Sequence, residues 1–433
     1  MAVPIVLGQL GVMLMGTVDV LLVGRVSPAA IAAVALGNFY WVTVVFFAQG
    51  VVMVLDPLVA QAVGAGDVRA SRLAIQRGVV IVAGVSVFSA LLMWPAETLL
   101  TWARQPPEVV PTAAAYIHAV VPSLPAFLLF IAFRQTLQAF HRVGPIIISV
   151  IVANILNAAL GWAMVFGHWG FEPLGAVGAA WATTIARWLL VAVLFGAGVR
   201  ELWPQLYPWE RGAIAWPEIR GMLRVGIPIG LHIFLEAAGF GCAMLFMGLL
   251  GTVPLAAHNV TLQLAALTYM VPLGVSAAAA VLVGRAIGAR DVDAARREAS
   301  GSLVIGVGFM ALTALTFLLG APWLARAFTS EPAVVALATT LIRIAGVFQL
   351  FDGAQVVATG ILRGAADTRA PMLMNLVGYF VLGVPIAALL GFALGYGAVG
   401  IWWGLVAGLV GAASLLTYRV KNQLAGEIAR VRI

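Results

Sequence analysis

The chain has 433 residues, 63% of them hydrophobic and only 9% charged, against roughly 25% charged in an ordinary soluble protein. A soluble core cannot hide so much apolar surface, so most of it must face lipid or other spans. The net charge of +7 is spread between apolar runs with no basic tract interleaved with aromatics, which argues against nucleic acid as a partner. The single cysteine, Cys242, excludes both a disulfide framework and a CxxC metal or redox site.

Twelve apolar segments are predicted in chain order. They run roughly over 3–24, 30–63, 74–95, 111–139, 144–167 and 174–199, then 222–249, 254–286, 299–320, 333–363, 371–392 and 397–419. Each is near or above the length a membrane helix needs and lacks two-residue alternation, so helices rather than barrel strands are expected. The fold class is therefore an all-α polytopic membrane protein. Punctuation such as GAGD at 64–67 and RQPPE at 104–108 falls where spans should end.

The stretch from Pro4 to Arg72 reappears 224 positions later without a gap. Pro4 matches Pro228, Gly50 matches Gly274, and AVGAGDVRASR from Ala62 matches AIGARDVDAAR from Ala286. Agreement among Gly, Pro, Asp and Arg at one offset marks a duplicated half, as in transporters whose halves move against each other. The expected organisation is a six-helix lobe over 1–199, a cytoplasmic linker over 200–221 and a second six-helix lobe over 222–433. Loops after even-numbered segments, with the tail, hold 19 Lys and Arg, including Arg77, Arg134, Arg285 and Arg363, whereas loops after odd-numbered ones hold three. That bias puts both termini in the cytoplasm and makes the repeat a parallel one, its pseudo-two-fold axis along the membrane normal.

Residues that break the repeat carry the chemistry. Asp19 lies in the first segment where the second half has Ala243. Glu236 lies in the seventh where the first half has Val12, and Asp352 lies in the tenth opposite Phe127. A carboxylate within a span costs on the order of 2.5–3.5 kcal/mol by insertion scales, so it faces an interior or a wet cavity and usually serves function. Burial favours the neutral acid and a nearby cation the charged one, so such a group can trade a proton for sodium or a cationic substrate. Asn157 and Thr183 are candidates to complete a polar pocket around Asp19. Asn259 and Gln263, on one helical face, are candidates to do so beside Glu236, although ordinary interhelical hydrogen bonds would use the same residues. Asp56, near the end of the second segment, reads better as solvated or Arg-paired than as a coupling site. Arg343 can snorkel from the tenth segment, whereas nothing in the sequence accounts for Arg187. His118, His168 and His258 are scattered and read as packed side chains.

At these residues the chain resembles the MATE (multidrug and toxic compound extrusion) family, NorM-like branch, over essentially its whole length. The carrying stretches are MGTVDVLLVG around Asp19, PLVAQAVGAGD before the third segment, LHIFLEAAGF around Glu236, LAAHNVTLQ from Leu255, and FQLFDGAQVVATGILRGAADT around Asp352. The resemblance implies two six-helix bundles in a V around a cleft. It also implies antiport in a bacterial inner membrane, with protons or sodium entering as amphipathic, usually cationic, compounds leave. Asp19 takes the place of a first-lobe acid that changes protonation and bends its helix. Glu236 and Asp352 match a second-lobe pair implicated in cation binding, sodium included. No cofactor is implied, and a functional monomer in the lipid bilayer is expected. Two residues depart from the family pattern. Phe348 replaces a tyrosine one turn before Asp352, removing a hydroxyl that sodium would use, and Gly161 replaces a second asparagine after Asn157. A lipid-linked precursor flippase of the same superfamily would want clustered cations where the in-span charges here are mainly acids. A membrane-embedded enzyme would need a nucleophile–base pair or metal ligands that the chain does not supply.

Overall fold

In the computed structural model, which describes residues 2–426 and Arg430, the chain is helical throughout with no strand among the described residues. Among the described residues, twelve helical stretches are long and apolar enough to cross a membrane. The first six are Ile5–Val23, Ala29–Gly64, Val68–Met93, Val110–Ala139, Gly144–Phe166 and Gly175–Ala197. The second six are Trp216–Leu250, Thr252–Gly288, Val292–Phe328, Pro332–Gly364, Arg369–Ala393 and Gly397–Ala425. They match the twelve predicted segments one for one.

Boundaries and interiors differ in instructive ways. The seventh and ninth spans begin at Trp216 and Val292, earlier than hydropathy alone predicts, because their first turns are polar helix outside the apolar run. The second span breaks at Met53 and Val54 into Pro28–Val52 and Leu55–Gly64. The eleventh is interrupted by π-helical turns over Val377–Gly383 and Leu389–Ala393. Arg77, Arg134, Arg285 and Arg363, assigned from sequence to loops, lie inside helices; a residue count of apolar runs cannot see a helix continue past its last apolar turn.

The polar stretch after the sixth span is ordered against the first half. It forms a helix over Val199–Leu206 and a 3₁₀ turn over Arg211–Ile214. The Gln76 Nε2 donates to Pro208 O at 2.9 Å, and Arg77 Nε donates to Gly212 O at 3.1 Å. Glu210 pairs with Arg69, and Glu201 with Arg142 at 2.8 Å.

The duplication is visible as mated contacts. Gly64 packs on the backbone of Arg285, and Gly288 packs on the backbone of Gln61, each pair being the other displaced by the repeat offset. Gly50 against Gly230 and Gly274 against Val6 form a second mated set. The strongest sequence match also has a local cause. Asp67 accepts from Ala70 N at 2.9 Å, and Asp291 accepts from Ala294 N at 2.8 Å, so each caps the third helix of its lobe. The residue before each cap has a left-handed backbone, Gly66 with φ 68° and Arg290 with φ 60°.

These lobe-to-lobe contacts use the halves of spans one, two, seven and eight that lie nearest the arginine-rich loops. Where a Cβ would strike main chain, the neighbour cannot turn aside. Gly64→Ala and Gly288→Ala are therefore each expected to destabilise the protein by about 1–3 kcal/mol. Gly84→Ala and Gly301→Ala, which meet open space, should leave the melting temperature in detergent unchanged. Equal melting of all four variants would refute this account of the seam.

Candidate functional site

Three polar clusters lie within the spans. In the first lobe, Asp19 is only 3% exposed and sits between the fifth and sixth spans. Asn157 Nδ2 donates to Asp19 Oδ1 at 2.8 Å, and the Thr183 hydroxyl donates to Asp19 Oδ2. Thr183 and Asn157 also contact each other at 3.3 Å. Both neighbours expected from sequence are thus in contact with the carboxyl. At Gly161, where the sequence departs from the family pattern, the space is taken by Leu22, so that side of the pocket is apolar.

One turn further along the sixth span from Thr183 stands Arg187. Its Nη1 donates to Ser123 Oγ at 2.8 Å. Its guanidinium carbon lies 4.3 Å from the Trp41 ring centroid and 5.3 Å from that of Phe127, two rings that meet edge to face. A delocalised cation on aromatic faces in a partly exposed setting gains on the order of 1 kcal/mol. This is the account of Arg187 that the sequence lacked, because Trp41, Phe127 and Ser123 come from two other helices. Asp19 and the Tyr116 phenol are near enough to feel its charge, and Tyr116 donates to Asn38 Oδ1 at 3.1 Å.

In the second lobe, Glu236 and the 3%-exposed Asp352 are near enough to interact electrostatically, from the seventh and tenth spans. The Glu236 carboxyl is flanked by Tyr269 and Gln355. Tyr379 comes close to both acids and donates to Gln355 Oε1 at 3.3 Å. His232 lies one turn before Glu236, with Nε2 at 3.8 Å from Oε2, and contacts Asn375 Nδ2 through Nδ1 at 2.8 Å. Asn259 and Gln263 are placed differently from the expectation: both side chains are exposed, and the groups flanking Glu236 come from Tyr269 and from the tenth span instead. Phe348, lacking a hydroxyl, packs on Phe240 and Trp402. Tyr269 and Tyr379 bring phenols to this neighbourhood from the eighth and eleventh spans.

Sequence reasoning passed over His232, Tyr269, Gln355 and Tyr379. His232 had a usable signal, the spacing of four residues from Glu236 that stacks side chains on one helix face. The other three had none, since their approach depends on how the helices pack. Of the histidines taken as packed, His118 contacts Trp94 O at 2.9 Å, His168 stacks on Trp162, and His258 is buried against Trp402.

The third cluster joins the lobes. Asp56, 4% exposed on its side chain, pairs at 3.1 Å with Arg363 Nε, whose side chain is 8% exposed. Arg134 lies near enough to interact electrostatically with the same carboxylate and donates to Gln9 Oε1 at 3.2 Å. Gln61 Nε2 donates across to Gly364 O at 2.9 Å. Asp56 is thus arginine-paired, and its partner belongs to the other half.

No group of three or more His, Cys, Asp or Glu side chains is arranged to hold a metal among the described residues. Asp19 and Glu236 instead have neutral hydrogen-bonding groups at their carboxyls, an arrangement that can take up and release a proton or a monovalent cation.

Comparison with known proteins agrees with this architecture. The family model described as MatE matches residues 4–163 and 228–389, once in each half. A probable multidrug resistance protein NorM of Rhizobium meliloti (strain 1021) is 38% identical over 432 residues, covering 97% of this chain and 91% of the relative. A protein of the same name from Mesorhizobium japonicum is 35% identical, covering 97% and 92%. The crystal structure of the eukaryotic MATE transporter AtDTX14 superposes with a TM-score of 0.87 at 22% identity, covering 98% of this chain and 96% of the other.

Proposed function

The chain belongs to the MATE family of transporters, and on that premise we propose that it is a secondary active multidrug exporter working by alternating access of its two lobes. It expels amphipathic cationic compounds from the cell in exchange for protons or sodium. The lobes are residues 1–199 and 222–433, joined through 200–221, in a bacterial inner membrane with both termini cytoplasmic. The working unit is a monomer, and no cofactor takes part. The observation that carries this reading is the burial of Asp19 and Asp352 inside spans of opposite lobes, neither in an arginine salt bridge among the described residues: Asp19 accepts from Asn157 and Thr183, and Asp352 lies beside Glu236.

The physical chain is short. A buried carboxyl outside any salt bridge changes occupant at low cost, because neither the neutral nor the loaded form leaves a bare charge in hydrocarbon. Asp19 works with Asn157 and Thr183. Glu236 works with Asp352, Tyr269 and Gln355, and sodium at that pair would draw on these oxygens. Asn259 and Gln263 are supporting polar residues, on the helix that also carries Tyr269. The carboxylate freed by release of its proton or sodium attracts the cationic drug. Each net positive charge moving inward across 100 mV supplies about 2.3 kcal/mol, enough for roughly fifty-fold accumulation, whereas one-for-one exchange with a monovalent cation is electroneutral and draws on the proton or sodium gradient alone. The lobe contacts at the arginine-rich end favour a resting state closed toward the cytoplasm and open outward.

The test is uptake of a fluorescent cation into everted vesicles, energised in turn by a proton gradient and by a sodium gradient. Uptake driven by one of them identifies the coupling ion. Absence of uptake with both, in vesicles that contain the protein, overturns the reading.

A further inference from the structure

The first lobe contains a cation seat that is already filled. Trp41 and Phe127 present two aromatic rings to one point, the Tyr116 phenol stands near it, and Asp19 supplies a carboxylate within electrostatic range from the first span. Aromatic faces with a nearby carboxylate are the chemistry that receives a quaternary ammonium or phosphonium ion. The occupant here is the guanidinium of Arg187. Among the described residues it makes no ion pair within 4 Å and has one side-chain hydrogen bond, to Ser123. A guanidinium carries five N–H donors, so an arginine held by one hydroxyl and two rings is held largely by the rings. Its side chain is neither sealed in nor free, being of intermediate exposure.

We propose that Arg187 is a specificity-determining residue, a tethered ligand that occupies the aromatic seat beside Asp19 in competition with monovalent organic cations. The inference rests on the reading of the protein as a cation exporter and names the residue that sets its selectivity. Two consequences follow from charge and geometry. With Arg187 in place, a cation entering the first lobe must displace or coexist with a like charge, so weak binders are rejected. An anion of the same shape meets the opposite field and is favoured. Removing the arginine therefore moves the two affinities in opposite directions, which a loss of packing would not do.

The experiment uses the purified full-length protein in detergent and two isosteric probes, tetraphenylphosphonium and tetraphenylborate, with dissociation constants measured by equilibrium dialysis. Arg187→Met is expected to tighten tetraphenylphosphonium binding about tenfold and to weaken tetraphenylborate. Arg187→Lys, which retains the charge, should stay within about twofold of wild type for the phosphonium. The double variant Arg187→Met with Trp41→Leu should lose the gain, because the ring that receives the probe is gone. If Arg187→Met is not monodisperse, Arg187→Gln, which can still donate to Ser123, carries the same expectation. Affinities for both probes moving together, or no change in either, overturns the proposal. If wild type binds tetraphenylphosphonium and Asp19 variants lose efflux while Arg187→Met is unchanged, this inference falls and the exporter reading stands. If no variant and no wild-type protein binds the phosphonium, both fall.

Discussion

Asp19→Asn, Glu236→Gln and Asp352→Asn are each expected to reduce efflux of a cationic dye at least tenfold while leaving the protein folded and in the membrane. Each change removes the ionisable oxygen and keeps shape, and at position 19 the new amide NH2 can face the Thr183 hydroxyl, which accepts as well as donates. At position 19, Asn157 and Thr183 both direct donors at the carboxyl, and an amide oxygen accepts one of these bonds as well as a carboxylate does. What the amide cannot do is alternate between charged and neutral forms. In the second lobe, Asp352 and Glu236 lie close enough to influence each other's charge, so removing one leaves the other without its interacting neighbour and the pair cannot load and unload together. The measurement is dye efflux from de-energised cells on restoring the gradient, with protein quantified in the membrane fraction. Full efflux by all three variants would exclude these acids as the coupling groups.

The interlobe ion pair carries the other large effect. Asp56→Ala is expected to lower stability by about 3–5 kcal/mol, since it leaves the guanidinium of Arg363 buried without its counter-charge. Arg134 deepens the loss, because the same carboxylate also offsets its buried charge. Replacing the pair together, Asp56→Leu with Arg363→Met, removes both paired charges, so the double variant should recover most of the loss and fall short of wild type only by what buried Arg134 loses with the carboxylate. The pair would then serve to hold the lobes together at one end rather than to raise stability as such. Thermal unfolding in detergent decides it: a single variant as stable as wild type sinks the assignment of Asp56 to a buried, lobe-bridging contact.

How much was readable beforehand varies from residue to residue. Asp19 with Asn157 and Thr183 was legible because an acid in an apolar helix must find polar company, and few polar side chains lie on the spans able to supply it. The partners of Glu236 were not, since Asn259 and Gln263 satisfy helical periodicity equally well from the exposed side of the same helix that carries Tyr269. Periodicity places side chains on a face but does not say which helix that face meets. Asp56 read correctly as a paired acid, yet the identity of Arg363 required knowing which ends of the second and tenth spans touch across the lobe boundary.

The amino-acid sequence by itself determined the twelve spans, the doubling of the half, and the three acids that depart from it. These follow from local quantities: the apolar length needed to cross a bilayer, the cost of a charge within it, and residue identity at a fixed offset. Only the tertiary structure decided which side chains surround those acids, where Arg187 comes to rest, and how Gly64 and Gly288 let the lobes approach. Contacts between helices distant in the chain depend on rotation and crossing of whole segments, and an apolar stretch carries little record of either.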